Sequence, residues 1–326
     1  MLRIRALQLP ISYPSDRSIE SCGQTRCCYE PEFWEFEYEA YRYLENIADD
    51  NLLERYRNIV RNMSRIVSRE RDVIPIKLFL SSWYWYRKEH QTRLEFHLRK
   101  IVSLPVSPPE EPPNNDGAAA PSRPRSPNSG DVLFRFDKSC YMVPFVEKGA
   151  VRISPASKHL TGMHGDPRTD DELSKHSFLP GRHTRIRTKS GQEIPVIGNF
   201  QRTISCPDYY DLCMTCGYHR SLFSDFSADT CVVITSPVVF SERISQAAEA
   251  YLPGWYFFHG HIQYFDPYNM DPHEVFNPTI SKDFSFAYQM EYRYLWFPEE
   301  RYSAKDYIYL NLGSINDIAS LYGLPP

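Results

Sequence analysis

Near the end of the chain, FSFAYQMEYRYLW places a glutamine, Gln289, and a glutamate, Glu291, two residues apart in an alternating run. Period-two alternation predicts a strand with Tyr288, Met290, Tyr292 and Tyr294 on one face and Gln289, Glu291, Arg293 and Leu295 on the other. An amide and a carboxylate on one strand face can address one ligand. The amide orients it, and the carboxylate balances positive charge or takes a proton. A buried, unpaired carboxylate is costly, so Glu291 calls for a cation such as Arg293 or for a functional site.

Cys206, Cys213, Cys216 and His219 form a second constellation, with a CxxC among them, and these are residue types that hold zinc. YDLCMTC nevertheless alternates like a strand, which sends neighbouring side chains to opposite faces and favours buried thiols. No metal is expected. His159, His164, His176 and His183 lie in a basic, turn-rich stretch, 158–192. That stretch reads as a solvated loop or insertion, or as a phosphate-contacting loop in which Arg182, Arg185 and Arg187 pair with anionic oxygens. Asp170, Asp171 and Glu172 read as a solvated helix start, or as a metal or acceptor contact. Asp266 and Glu274 are isolated by turn residues and make no two-metal set. The chain has no GxGxxG or GxxxxGK[ST] phosphate loop and no serine nucleophile elbow.

The elements that must position these residues follow from pattern. A stretch dominated by Pro, Gly, Ser and Asn, residues 104–130, has too little apolar surface to order itself and reads as a flexible linker. It divides the chain into a helical region, 1–103, and a strand-rich α+β domain, 131–326. In the first part, Phe33, Trp34, Phe36, Tyr38, Tyr41 and Leu44 recur at helical intervals, as do Leu53, Tyr56, Ile59, Val60, Met63 and Ile66. A third helix follows Pro75, with Phe79, Trp83, Tyr86, His90 and Leu94 as its stripe. Its WYWYRK cluster reads either as a base-stacking, phosphate-pairing surface or as part of a bundle of complementary acidic and basic helices. Beyond the linker, DVLFRF, GAVRIS, YDLCMTC, TCVVIT, HIQYF and AYQMEYRYLWF read as strands, and SERISQAAEAYL as a helix.

With Arg152 on the GAVRISPAS strand, a Ser/Thr element in the middle of the domain and the late QxE, the chain resembles the bacterial toxin-type ADP-ribosyltransferases. The middle element is Thr215 in CMTC, or alternatively Thr235 and Ser236 in VVITSP. The resemblance implies NAD as the consumed substrate, with Arg152, Ser154, Thr215 and Tyr288 binding it, Arg152 at its phosphates. It also implies that Glu291 stabilises the positive ribosyl centre as nicotinamide leaves, and that Gln289 positions the acceptor. Glu291, Gln289 and Arg152 are then the catalytic set, and a role as a toxin or in defence against phage follows. RISPASKH, DDELS, the segment from DTCVVI through PVVF, and AYQMEYRYLW are also similar to a group of uncharacterised bacterial proteins, which brings no activity with it.

A formal net charge of -4 argues against a purely electrostatic nucleic-acid binder. A 14% aromatic content suits a strand-heavy core or a surface for planar groups. No run reaches the roughly 18 apolar residues of a spanning helix. With 8 cysteines and no secretion signal, thiols in a cytoplasmic protein are expected. The acceptor expected is a protein or a nucleic acid. The alternative to an enzyme is a non-catalytic protein that binds nucleic acid or a protein partner.

Overall fold

The computed structural model describes residues 31–66, 82–101, 132–161, 171–270, 277–298, 304 and 306–323 of the chain. The linker at 104–130, His164 and Asp170 lie outside these residues.

Among the described residues three helices come first: α1 (Pro31–Tyr41), α2 (Asp49–Ile66) and α3 (Ser82–Leu98). Asp49 and Asp50 favour the start of α2 by placing negative charge at its N-terminal dipole. Trp34, Tyr38, Leu44 and Ile59 are buried, as the helical stripes predict, whereas Phe36 is 70% exposed.

The face of α3 differs from its predicted stripe. Tyr86 is exposed, while Tyr84, Trp85, Lys88, Gln91, Thr92, Glu95 and Phe96 point inward. Their polar groups have partners that no local pattern reveals. Glu95 accepts from Tyr38 (2.6 Å) and Arg42 (2.9 Å), Gln91 accepts from Tyr43 (3.0 Å), and Lys88 binds Asp266. Trp85 stacks on Phe284, and Arg87 pairs with Glu37. The WYWYRK residues whose burial is described thus serve mainly the interior, as the bundle alternative requires, with Tyr86 the exposed exception.

The strand-rich part is mixed α+β. Its strands are β1 (Leu133–Asp137), β2 (Ala150–Pro155), β3 (Ser174–Pro180), β4 (Ile186–Arg187), β5 (Glu193–Ile194), β6 (Asn199–Ser205) and β7 (Tyr210–Thr215). They continue with β8 (Thr230–Ile234), β9 (Tyr256–His261), β10 (Gln263–Phe265), β11 (Ser281–Asp283), β12 (Glu291–Phe297), β13 (Ile308–Asn311) and β14 (Ala319–Gly323). Helix α4 (Ser139–Lys148) joins β1 to β2, α5 (Ser221–Asp225) precedes β8, and α6 (Pro237–Glu249) follows it. Gly149 ends α4 with φ +63, and a Cβ there would lie 2.1 Å from the Gly313 carbonyl, so only glycine fits.

An eight-stranded sheet runs β13-β2-β7-β1-β8-β14, with β12 joined to β7 and β9 to β12. β7 is paired along its length by β12, from Glu291 opposite Thr215 to Trp296 opposite Tyr210. Its other edge is shared. β2 holds the start, with Ser154 opposite Asp211, and β1 holds the end, with Phe134 opposite Thr215. β1 and β2 therefore diverge from one neighbour and leave a fork between them.

The sheet buries both faces. On one, Val151, Ile153, Leu212, Met214, Val232, Tyr294 and Trp296 pack against Phe145 of α4 and Phe240 and Ile244 of α6. On the other, Phe134, Phe136, Cys231 and Val233 meet Phe223 of α5, and the same cluster takes in Ile59 of α2 and Tyr84 and Trp85 of α3. Two sequence expectations change. The 158–192 stretch is structured in part, since it holds β3, which pairs with β6 from Ser174 opposite Ser205 to Pro180 opposite Asn199. The late strand begins at Glu291, because residues Phe284–Gln289 form a 3-10 turn and Met290 turns left-handed at φ 47.

Candidate functional site

A cavity of about 250 Å³ opens at the fork, on the face of the sheet opposite α4 and α6. β1 lends Phe134, Arg135 and Phe136, β2 lends Arg152 and Ser154, β7 lends Asp211, Cys213 and Thr215, and Gln289 and Glu291 close it. Period two explains the selection. On β7 the odd-numbered residues face the cavity while Leu212 and Met214 enter the core beneath, and on β12 Glu291 and Arg293 oppose Tyr292 and Tyr294 in the same way.

Glu291 is buried and doubly paired. Its Oε1 accepts from Arg293 Nε at 2.5 Å and its Oε2 from Lys282 Nζ at 2.8 Å. The guanidinium of Arg293, fully buried, also grips Glu172 at 2.5 and 2.8 Å. Lys175 reaches Glu172 at 3.5 Å and Lys282 reaches it at 3.8 Å. Three cations thus share two carboxylates, and Arg293 makes the bidentate contacts for which a planar fork is suited. Burial pushes the Glu291 carboxyl up, but the charges of Arg293 and Lys282 outweigh it and hold the group well below the usual carboxylate range. Glu172 is held down to about 2 by the same balance, with Arg293 the chief cation. Both are ionised at any physiological pH.

Gln289 reaches the cavity from the end of its turn rather than from a strand. The Thr215 hydroxyl donates to the Gln289 carbonyl at 2.5 Å and accepts the Gly217 N–H at 3.3 Å. Cys216 N–H donates to the Met290 carbonyl at 2.8 Å, so the end of β7 fixes the turn at two points. The Glu291 N–H meets the Tyr264 hydroxyl at 2.8 Å. On the far wall, Arg152 is exposed and its guanidinium lies 4.7 Å from the Tyr307 ring centroid. Asp211, buried, binds His159 Nε2 at 2.9 Å.

Of the residues singled out in sequence, Arg152, Ser154, Thr215, Gln289 and Glu291 meet in this one cavity. Tyr288 does not. Its ring, which the resemblance implies as an NAD contact, is buried beside α2 with the Arg65 guanidinium 4.3 Å from its centroid, on the side of the 3-10 turn away from the cavity. Thr235 and Ser236 lie beyond the end of β8, where the Thr235 hydroxyl donates to the Ile318 carbonyl, so of the two alternatives for the middle element Thr215 is the one that lines the cavity. Asp171 caps the start of β3 by accepting the N–H groups of Leu173 and Ser174, and no helix starts there.

The cysteines and His219 point to separate partners: Cys206 to the Leu173 carbonyl, Cys213 to Asp211, Cys216 to His261 and His219 to Ser221. Among the described residues no cluster of three or more His, Cys, Asp or Glu is arranged to hold a metal ion. No described helix is long and apolar enough to cross a membrane.

Comparison with family models, with curated proteins and with solved structures gave no match. The site's own chemistry is therefore what bears on function. Sequence reasoning missed Lys282 and the part played by Asp211, and it read Glu172 as part of a solvated helix start or as a metal or acceptor contact, whereas the side chain is buried against Arg293. Lys282 sits in ISKDFSF, where no periodicity marks a charge that turns inward nine residues before its partner. Asp211 carried a signal: a carboxylate in an otherwise apolar strand, YDLCMT, must find a partner or a site.

Proposed function

We propose that the chain is an NAD-consuming ADP-ribosyltransferase that acts as a toxin or in defence against phage, on a protein or nucleic-acid acceptor. What supports the reading is the convergence in one cavity of Arg152, Ser154, Thr215, Gln289 and Glu291, drawn from segments far apart in sequence. The cavity is about 250 Å³, which suits one end of a dinucleotide, the nicotinamide and its ribose, rather than the whole molecule. The exposed Arg152 at its edge is a partner for the diphosphate. Glu291, ionised in a nearly dry wall, supplies the fixed counter-charge needed as the C1′–N bond breaks and its electron pair leaves with nicotinamide. Lys282 and Arg293 keep that carboxylate deprotonated and aimed.

The test is nicotinamide release by the full chain incubated with NAD, alone and with lysate protein or RNA. Glu291→Gln should lower release about 10²- to 10³-fold, the loss typical of one preorganised electrostatic group. Glu249→Ala, an exposed site on α6, should leave it unchanged. Folded wild-type protein that releases no nicotinamide under any of these conditions would sink the proposal. One observation favours the alternative of a non-catalytic binding protein: both Glu291 oxygens are already held by cations, as in a purely structural network. In that case Glu291→Gln lowers the melting temperature and there is no turnover to lose.

A further inference from the structure

Immediately after β2 the chain enters a 3-10 turn, Ala156–Thr161, that leans over β7. The turn is pinned at its start. Ala156 N–H donates to the Tyr209 carbonyl at 2.8 Å, and Ser157 binds the Asp208 carboxylate through its N–H (3.1 Å) and its hydroxyl (2.7 Å). This brings His159 to the cavity wall, with Nε2 2.9 Å from Oδ1 of Asp211. A carboxylate only accepts, so Nε2 carries the proton and the Nδ1 lone pair is left basic. Asp211 has a side-chain exposure of 1% and sits on the rigid central strand, so the imidazole is held in one tautomer.

Two other groups in the wall, Glu291 and Cys213, are poorly suited to take a proton. Both oxygens of Glu291 are engaged and its carboxyl is held well below the usual range. Burial, helped by the Glu291 charge, pushes the Cys213 thiol well above its ordinary value, so it stays protonated. His159 is the one imidazole among the described residues lining the cavity.

We propose that His159, oriented by Asp211, is the general base that deprotonates the acceptor in the transfer step, an assignment that rests on the transferase reading. The acceptor's lone pair forms the new bond to C1′, the C1′–N bond breaks with its electrons going to nicotinamide, and the acceptor's proton passes to Nδ1 and on to solvent. The charges that act on His159 are Asp211 on β7, Glu172 ahead of β3 and Arg293 on β12; Arg135 and Asp137 on β1, Arg152 on β2, Lys158 on the turn itself, Cys213 on β7, Lys282 on β11 and Glu291 on β12 also lie in the wall. The Asp211 charge lifts His159 above its usual value against burial, Glu172 adds to the lift and Arg293 opposes it. A base must be neutral, so activity falls on the acid side of that raised value.

Water serves as the acceptor in the test, which measures kcat and KM for NAD hydrolysis by the full chain between pH 5 and 9. His159→Gln should lower kcat by about 10²- to 10⁴-fold with KM unchanged, the span of a lost general base, and should flatten the acid limb. Added imidazole should restore part of the rate to His159→Ala. A raised KM with kcat intact would make His159 a phosphate contact, and a wild-type pH profile in His159→Gln would exclude any role; either overturns the proposal. NMR titration of His159 reads the dyad without turnover: its pKa should be raised in the wild-type chain and fall in Asp211→Asn, whereas an ordinary value in the wild-type chain overturns the pairing. A raised titration in a wild-type chain that releases no nicotinamide places the failure in the transferase reading and removes the base role with it.

Discussion

Two cations compete for one buried carboxylate at Asp266. Arg55 binds it through two bonds of 2.7 Å, and Lys88 adds a third contact of 2.6 Å. One negative charge cannot offset two positive ones in a place water does not reach. Burial accordingly lowers Lys88 to about 7, with Asp266 resisting and Arg55 adding to the fall, while Arg55 itself stays charged. The consequence for stability has a definite sign. Between about pH 7 and the ordinary lysine value near 10.4 the unfolded chain holds a proton on Lys88 that the folded chain has lost, so the contribution of this group to stability rises with pH across that window. Chemical denaturation of the wild-type chain and of Lys88→Met, which leaves the Arg55–Asp266 pair in place, reads that contribution at pH 7, 8.5 and 10: the wild-type chain should gain stability relative to the variant as pH rises, while the thiols of Cys213, Cys216 and Cys231, pushed up by burial, lower the stability of both alike. An equal slope in the variant would place the effect elsewhere. Glu172 and Glu291 act in the opposite window: their folded pKa values are depressed, so the stability they lend is present above about pH 4.3 and lost as pH falls below it.

A single side chain of α2 organises the turn that carries Gln289. Asn62 Nδ2 donates to the carbonyls of Phe284 (3.3 Å) and Ser285 (3.1 Å), and its Oδ1 accepts the Tyr288 N–H at 2.7 Å. Three backbone groups of a 3-10 turn thus find their partner on a helix more than 200 residues earlier in the chain. Asn62→Leu removes all three bonds and leaves those groups buried, at a cost of about 1–3 kcal/mol for each unsatisfied group. The expected result is a lower melting temperature together with reduced nicotinamide release, because Gln289 and the start of β12 lose their brace. A variant with lost stability but wild-type kcat would separate the turn from the site.

The same turn marks the limit of what pattern reveals. TCVVI and YDLCMT declare themselves as strands because alternation and β-branched content are local properties. The face of Glu291 and its Arg293 neighbour were equally legible, since they share a strand and lie two residues apart. Tyr288 and Gln289 were misplaced because the turn that interrupts the alternation is stabilised from Asn62 and Thr215, which no window around it contains. The inward face of α3 was hidden for a related reason: Lys88, Gln91 and Glu95 look solvent-facing until Asp266, Tyr43, Tyr38 and Arg42 are brought to them.

Across the whole molecule, the composition of the 104–130 stretch argues for a strand-rich piece, 131–326, able to fold alone, and the packing argues against it. Ile59, Tyr84 and Trp85 share one cluster with Phe134, Phe136, Leu222 and Val233. Arg65 pairs with Asp225 at 2.6 Å, and both cations of Asp266 come from the helices. Deleting residues 1–103 would strip Asp266 of both cations and uncover Phe284, Tyr288 and the sheet face that Ile59, Tyr84 and Trp85 cover, at about 1.5–3 kcal/mol for each large apolar side chain returned to water. Against the 5–15 kcal/mol that holds a typical domain, such losses are decisive. The isolated 131–326 piece should therefore bind ANS, lose its near-UV dichroism and melt without cooperativity, and co-expression with residues 1–103 should restore a single cooperative transition. A sharp unfolding transition and full nicotinamide release from the piece alone would show that the helices cover the site without being needed to build it.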